Sequence, residues 1–160
     1  MTLMRTISCL ALLVATAFCQ PQAAVMLDGG NGNTVTLSRQ DLAKLPSHTV
    51  SATDHGTPAT FEGVLVSDLL AKVQAPLGDK LHGKALAAYV LVEAADGYRA
   101  VFSMAEMDPA LSDKRVYLAA SRDGKPLSEK EGPFRIVVPD EKRPARWVRQ
   151  VTALKIREAQ

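Results

Sequence analysis

The chain has 160 residues, 47% of them hydrophobic and 22% charged, with a formal net charge of +2, which is the profile of one folded domain. So small a charge, with no basic block interleaved with aromatics, excludes general nucleic-acid binding. An acidic ligand stays open only through a local patch.

In chain order, Met1 to Thr6 carries one charge, Arg5, and Ile7 to Phe18 is apolar. That run has the length of a signal-peptide core and falls short of the roughly 20 residues of a membrane span. Ala15-Thr16-Ala17 and Gln22-Ala23-Ala24 each offer a cleavage point. The second leaves the fuller apolar core, so residues 1–24 read as a signal peptide. Residues 25–160 then form one exported domain, periplasmic or secreted, with no stable membrane span. Phe18 stands where a lipid-attachment signal ahead of Cys19 needs a small residue. Both cysteines, Cys9 and Cys19, lie in the leader, so the processed chain has no disulfide, thiolate nucleophile or thiolate metal ligand.

Asp28 to Asn33 reads as a hairpin turn or lead-in, followed by a strand over Thr34 to Leu37. Ser38, with Asp41 three residues on, caps a helix that Pro46 stops. His48 to Asp54 is strand-like, Phe61 to Val64 ends a second strand or turn, and Ser67 to Val73 is a helix. Ala85 to Ala95, almost continuously apolar, reads as a strand buried on both faces. Asp96-Gly97 turns it, as a two-residue primed hairpin, into Tyr98 to Phe102. Ser103 caps a short helix over Met104 to Leu111. Val116 to Ala120, a turn at Asp123-Gly124, and strands over Phe134 to Val138 and Val148 to Ile156 complete the chain. The class is α+β, with a mixed, mostly antiparallel sheet and short helices.

The ordered set of motifs carries a family resemblance. It runs Ser38-x-x-Asp41-Leu42-x-x-Leu45-Pro46, Phe61-Glu62-Gly63-Val64-x-x-x-Asp68-Leu69-Leu70, Ala95-Asp96-Gly97-Tyr98 and Asp123-Gly124-Lys125-Pro126-Leu127. It closes on Gly132-Pro133-Phe134-Arg135-Ile136-Val137-Val138-Pro139 and Val148-x-x-Val151-x-x-Leu154. Over about residues 34–158 the chain resembles the molybdopterin-binding domain of sulfite-oxidase type, above all small exported proteins that carry this domain alone. The resemblance implies that fold, and in the family's enzymes a cysteine thiolate holding molybdenum. Counting back from Phe61-Glu62-Gly63 puts that position near Ser51, where no thiolate stands. The family's redox activity therefore does not carry over. No cofactor is expected, and molybdopterin enters by resemblance only.

Five cations, Arg135, Lys142, Arg143, Arg146 and Arg149, fall within fifteen residues, offset only by Asp140 and Glu141. Arginine forks suit phosphate and carboxylate, and the resemblance implies that this region helps hold a pterin phosphate. Arg135, Arg143, Arg146 and Arg149, with Ser51, are thus the candidate ligand-binding residues; a solvated loop paired to Asp140 and Glu141 is the competing account. No catalytic or metal-ligating residue is assigned: His48, His55 and His82 are scattered, and no G-x-S-x-G elbow occurs. Tyr89, Tyr98, Phe102, Tyr117, Phe134 and Trp147 read as core, with Trp147 beside arginines the one suited to a pocket or interface. The expected function is a non-catalytic or accessory exported domain binding a small anion. The alternatives are a module docking on another exported protein and, last, a molybdopterin oxidoreductase with a non-cysteine ligand.

Overall fold

The structure, a computed structural model, describes residues 23–159, so residues 1–22 of the expected leader, with Cys9 and Cys19, lie outside the described residues. Ten strands form two sheets. In the first, β1 (Ala24–Asp28) and β2 (Thr34–Ser38) make a hairpin, β10 (Val151–Glu158) runs parallel beside β1, and β5 (Ala88–Ala94) and β6 (Arg99–Ser103) follow, in the order β2-β1-β10-β5-β6. In the second, β3 (His48–Asp54), β4 (Thr57–Leu65), β7 (Tyr117–Arg122) and β8 (Lys125–Pro126) are consecutive neighbours, and β9 (Arg135–Val137) pairs with β7. Among the described residues the β1–β10 pair is the only parallel one, so the mixed, mostly antiparallel α+β architecture holds, divided over two sheets.

Capping chemistry behaves as the sequence implies. Ser38 and Asp41 form a reciprocal box at α1 (Arg39–Leu42), and Ser103 and Glu106 form one at α3 (Met104–Met107). The helix expected to reach Leu111 stops after one turn. Asp108 precedes Pro109 and is therefore extended, with φ −81 and ψ 118. Helix α2 spans Val66–Ala71, beginning one residue before and ending two residues short of the expected Ser67 to Val73.

Three local readings are corrected and one turn is added. The segment Ala85–Ala95 is not a strand buried on both faces: Gly83–Ala87 is a 3-10 turn, and β5 alternates buried with half-buried residues. At Asp96-Gly97 only Gly97 has positive φ, so the loop is a three-residue one closed by Ala94 N–H to Tyr98 C=O at 3.0 Å. The two primed turns are Asp123-Gly124 and, unnoticed in the sequence, His55-Gly56, where φ is positive at both residues. Finally, β10 begins only at Val151, and Pro144–Arg146 is a 3-10 turn, so strand alternation does not orient Arg146 or Arg149.

Both sheets contribute to one continuous core, which includes Val25, Leu27, Val90 and Leu154 from the first and Phe61, Leu118 and Ile136 from the second. Strand β1 was not expected from the sequence, yet Val25 and Leu27 are fully buried. Phe102, Tyr117, Phe134 and Trp147 are core as expected, whereas Tyr98 is 51% exposed.

Candidate functional site

Two charges sit where apolar side chains would be expected. Along β3, Ala52 and Asp54 are buried and Thr49, Ser51 and Thr53 exposed, so Asp54 holds the phase that faces inward. On β9 all three residues are buried, Arg135 among them. Neighbouring backbone bonds lock this segment to the next loop: Ile136 N–H to Val148 C=O at 2.8 Å and Val151 N–H to Phe134 C=O at 2.9 Å. Arg135 is thereby held between β7 and the loop that carries Trp147.

The guanidinium of Arg135 forks onto Asp54, with Nη1 to Oδ2 at 2.9 Å and Nη2 to Oδ1 at 2.8 Å, and also pairs with Glu131. Arg122 bridges the same carboxylates, at 3.0 Å to Asp54 and 3.1 Å to Glu131. The side chains of Arg135 and Asp54 are 1% and 4% exposed, so this is a buried two-cation, two-anion cluster. Hydrogen bonds from Arg135, reinforced by the charges of Arg135 and Arg122, hold the Asp54 carboxyl below its ordinary pKa against the opposing effect of burial. Phe61 and Trp147 meet edge to face at 5.9 Å, and the Arg135 guanidinium lies 5.5 Å and 5.4 Å from their ring centres.

Above this cluster opens a cleft of about 310 Å³ lined by His55, Asp96, Tyr98, Arg135, Trp147 and Arg149, among others. Among the described residues, two buried donors on its lining residues lack a partner: Arg135 Nε and Trp147 Nε1. Leaving such a donor unmade costs roughly 1–3 kcal/mol each. The rim residue Arg149 is exposed and has no carboxylate partner among the described residues.

The structure does not gather the five sequence candidates into one site. Arg135 and Arg149 share the Trp147 cleft. Arg146 is occupied elsewhere: it bonds Glu141 and Glu106, the latter at 2.9 Å, and its guanidinium lies 4.2 Å from the ring centre of Phe102. Burial works against its charge, yet those two carboxylates raise its pKa overall. Its fork is therefore closed to an external anion, contrary to expectation. Arg143 is exposed and leads into the 3-10 turn. Ser51 faces outward from β3, in a separate depression with Thr53, Pro58 and Asp123. Asp54 and Glu131 were missed, although an acid on the apolar phase of a strand and an arginine inside the run Phe134–Val138 are signals of a buried pair.

A family model for the oxidoreductase molybdopterin binding domain matches residues 19–160. The chain belongs to that family. Among solved structures it is similar to the sulfane dehydrogenase SoxCD from Paracoccus pantotrophus, with a TM-score of 0.67 and 21% identity over 86% of this chain. The match covers 38% of the SoxCD chain, so the likeness concerns the fold of one part of it. No curated protein sequence matches.

The donor set of this family member does not fit a molybdenum cofactor held as the resemblance implies. The described residues include no cysteine, and Ser51 presents a neutral hydroxyl to solvent. The forks of Arg135 and Arg146, two of the cations expected to hold a phosphate, are already engaged by Asp54, Glu131, Glu106 and Glu141.

Proposed function

We propose that the protein is an exported, accessory member of the molybdopterin-binding family that does no redox chemistry by itself and binds a small ligand in the Trp147 cleft. The observation that carries this reading is the pair of orphaned donors, Arg135 Nε and Trp147 Nε1, on one cleft. Both atoms are closed to solvent, so a ligand's carboxylate or carbonyl oxygen reaches them only as the Trp147 loop shifts, whereas Arg149 offers an exposed fork at the rim. The half-exposed Tyr98 offers a ring wall, its hydroxyl tied to Ala145 C=O at 2.7 Å. Anion selectivity thus moves from Arg146 and Arg143 to Arg149 and the buried donors.

The test is a thermal-shift screen of phosphate, sulfate, dicarboxylates and pterins. A ligand of the native fold raises the melting temperature by mass action. Arg149→Ala and Trp147→Phe each lower affinity by about ten- to a hundredfold, the worth of one charge-assisted or buried hydrogen bond. Trp147→Phe also removes an unsatisfied donor, which offsets part of the cost of the space the smaller ring leaves in the core. If no compound shifts the wild type, the better account is a module docking on another exported protein, favoured by exposed Tyr98 and Val101 around β6.

Export has its own check. Intact mass of the secreted chain should correspond to a start at Val25. That start removes Ala24 from the β1–β2 ladder but retains the paired residues from Val25 to Asp28. A mass retaining the leader would reject cleavage, and a start at Phe18 would keep Cys19 as a free thiol. Among the described residues, no helix is long and apolar enough to cross a membrane.

A further inference from the structure

Strand β3 ends its sheet, paired to β4 in an unbroken register from His48 opposite Gly63 to Asp54 opposite Thr57. His55-Gly56, with both φ positive, makes a two-residue primed turn, whose flanking pair Asp54 and Thr57 exchanges both backbone bonds. Bonded and non-bonded pairs alternate from there. Ala52, Val50 and His48 therefore bond β4, while Thr53, Ser51 and Thr49 point their N–H and C=O groups outward. Two details on β4 agree. Pro58, which has no N–H, stands opposite Thr53. Thr60, opposite Ser51, turns to the far side, taking the Asp123 N–H at 2.7 Å and giving its own N–H to the Asp123 carboxylate at 2.9 Å.

No bond from another element reaches the outward groups of Thr49, Ser51 and Thr53 among the described residues. Nor is the edge guarded in the usual ways. It carries no lysine, proline or bulge, and its one inward-facing acid, Asp54, is already neutralised by Arg135 and Arg122, so it leaves no uncompensated charge to repel a second strand. The edge strand β6 of the other sheet is treated differently: Arg146 bonds the Val101 C=O at 3.0 Å, and Tyr98 ties down the loop at Ala145. Strand β8 is two residues long and includes Pro126.

We propose that this protein forms a twofold dimer by antiparallel pairing of β3 with β3 of a second copy, centred on Ser51. In that register Ser51 faces the copy's Ser51, and Thr49 and Thr53 face its Thr53 and Thr49. All three are residues whose backbone groups point outward, so each opposed pair exchanges two hydrogen bonds. Parity is kept: Val50 meets the copy's Ala52 on the inner face, and the hydroxyl residues meet one another on the outer face. His48 comes opposite the copy's Asp54, so no like charges are opposed. Centring on Val50 or Ala52 would instead oppose residues whose backbone groups β4 already takes. The interface is isologous and closes at two copies.

Sedimentation velocity of the full chain, from micromolar to submillimolar concentration, should show a dimer. Ser51 is exposed and its side chain bonds nothing, so Ser51→Lys and Ser51→Glu should fold. Each sets like charges face to face across the axis and should sediment as a monomer with an unchanged far-UV spectrum. Mixing the two variants one to one should restore the dimer mass. A wild type that stays monomeric, a dimer that both charged variants keep, or a mixture that fails to pair each rejects this contact.

Discussion

Asp54→Ala is expected to destabilise the fold by about 3–5 kcal/mol, because it leaves Arg135 charged, buried and without its fork partner. Arg135→Ala should have a comparable effect by leaving Asp54 with Arg122 alone and emptying the space against Phe61 and Trp147. The double variant Asp54→Leu with Arg135→Met should be less destabilised than either single one, since it buries no unpaired charge and Arg122 still pairs with Glu131. Urea unfolding of the four proteins measures this; a double variant destabilised more than either single one would show that the pair acts through shape alone.

The same cluster sets the acid limb of stability. The Asp54 carboxyl is held below its ordinary pKa first by hydrogen bonds from Arg135. Glu106 is also lowered: burial opposes its charge, and Arg146 and Lys114 outweigh that. With folded-state values below the unfolded ones, the unfolded chain binds more protons in acid. The contribution is therefore complete above the ordinary carboxylate pKa of about 4 and is lost as pH falls through the depressed values. Stability should be flat from neutrality to about pH 5 and fall below about pH 4, with a shallower fall in Asp54→Asn.

Gly63→Ala is expected to be the second most damaging small change. A Cβ there would lie 2.5 Å from the Leu118 carbonyl oxygen and 2.7 Å from Ala119 Cα. Both are backbone atoms of β7, at the bulge where β4 steps past it, so no side chain can swing away. Overpacking of this kind costs about 1–3 kcal/mol. The urea midpoint should drop with its slope unchanged, and a loss under about 0.5 kcal/mol would show that the strands separate freely. This gives the Phe61-Glu62-Gly63 signature a physical basis: the ring packs on Arg135, and the glycine lets two central strands approach.

Local chemistry was legible in the sequence wherever it is settled within a few residues. The serine-to-acid spacings gave both capping boxes, Asp123-Gly124 gave a primed turn, and alternation gave β3. The ordered motifs identified the family, because turn and packing residues at fixed intervals encode a fold. Only the tertiary structure decided which charges are available. Arg135, Arg146 and Arg149 look equivalent in sequence, yet two of them are closed by carboxylates contributed from 81 and 40 residues away, and one is free. Asp96-Gly97 and His55-Gly56 likewise look like turns of one kind, and the backbone at Asp96 and His55 separates them. The physical reason is common to both. Charge compensation and strand edges depend on which distant segment arrives alongside, and that information lies in packing rather than in any local pattern.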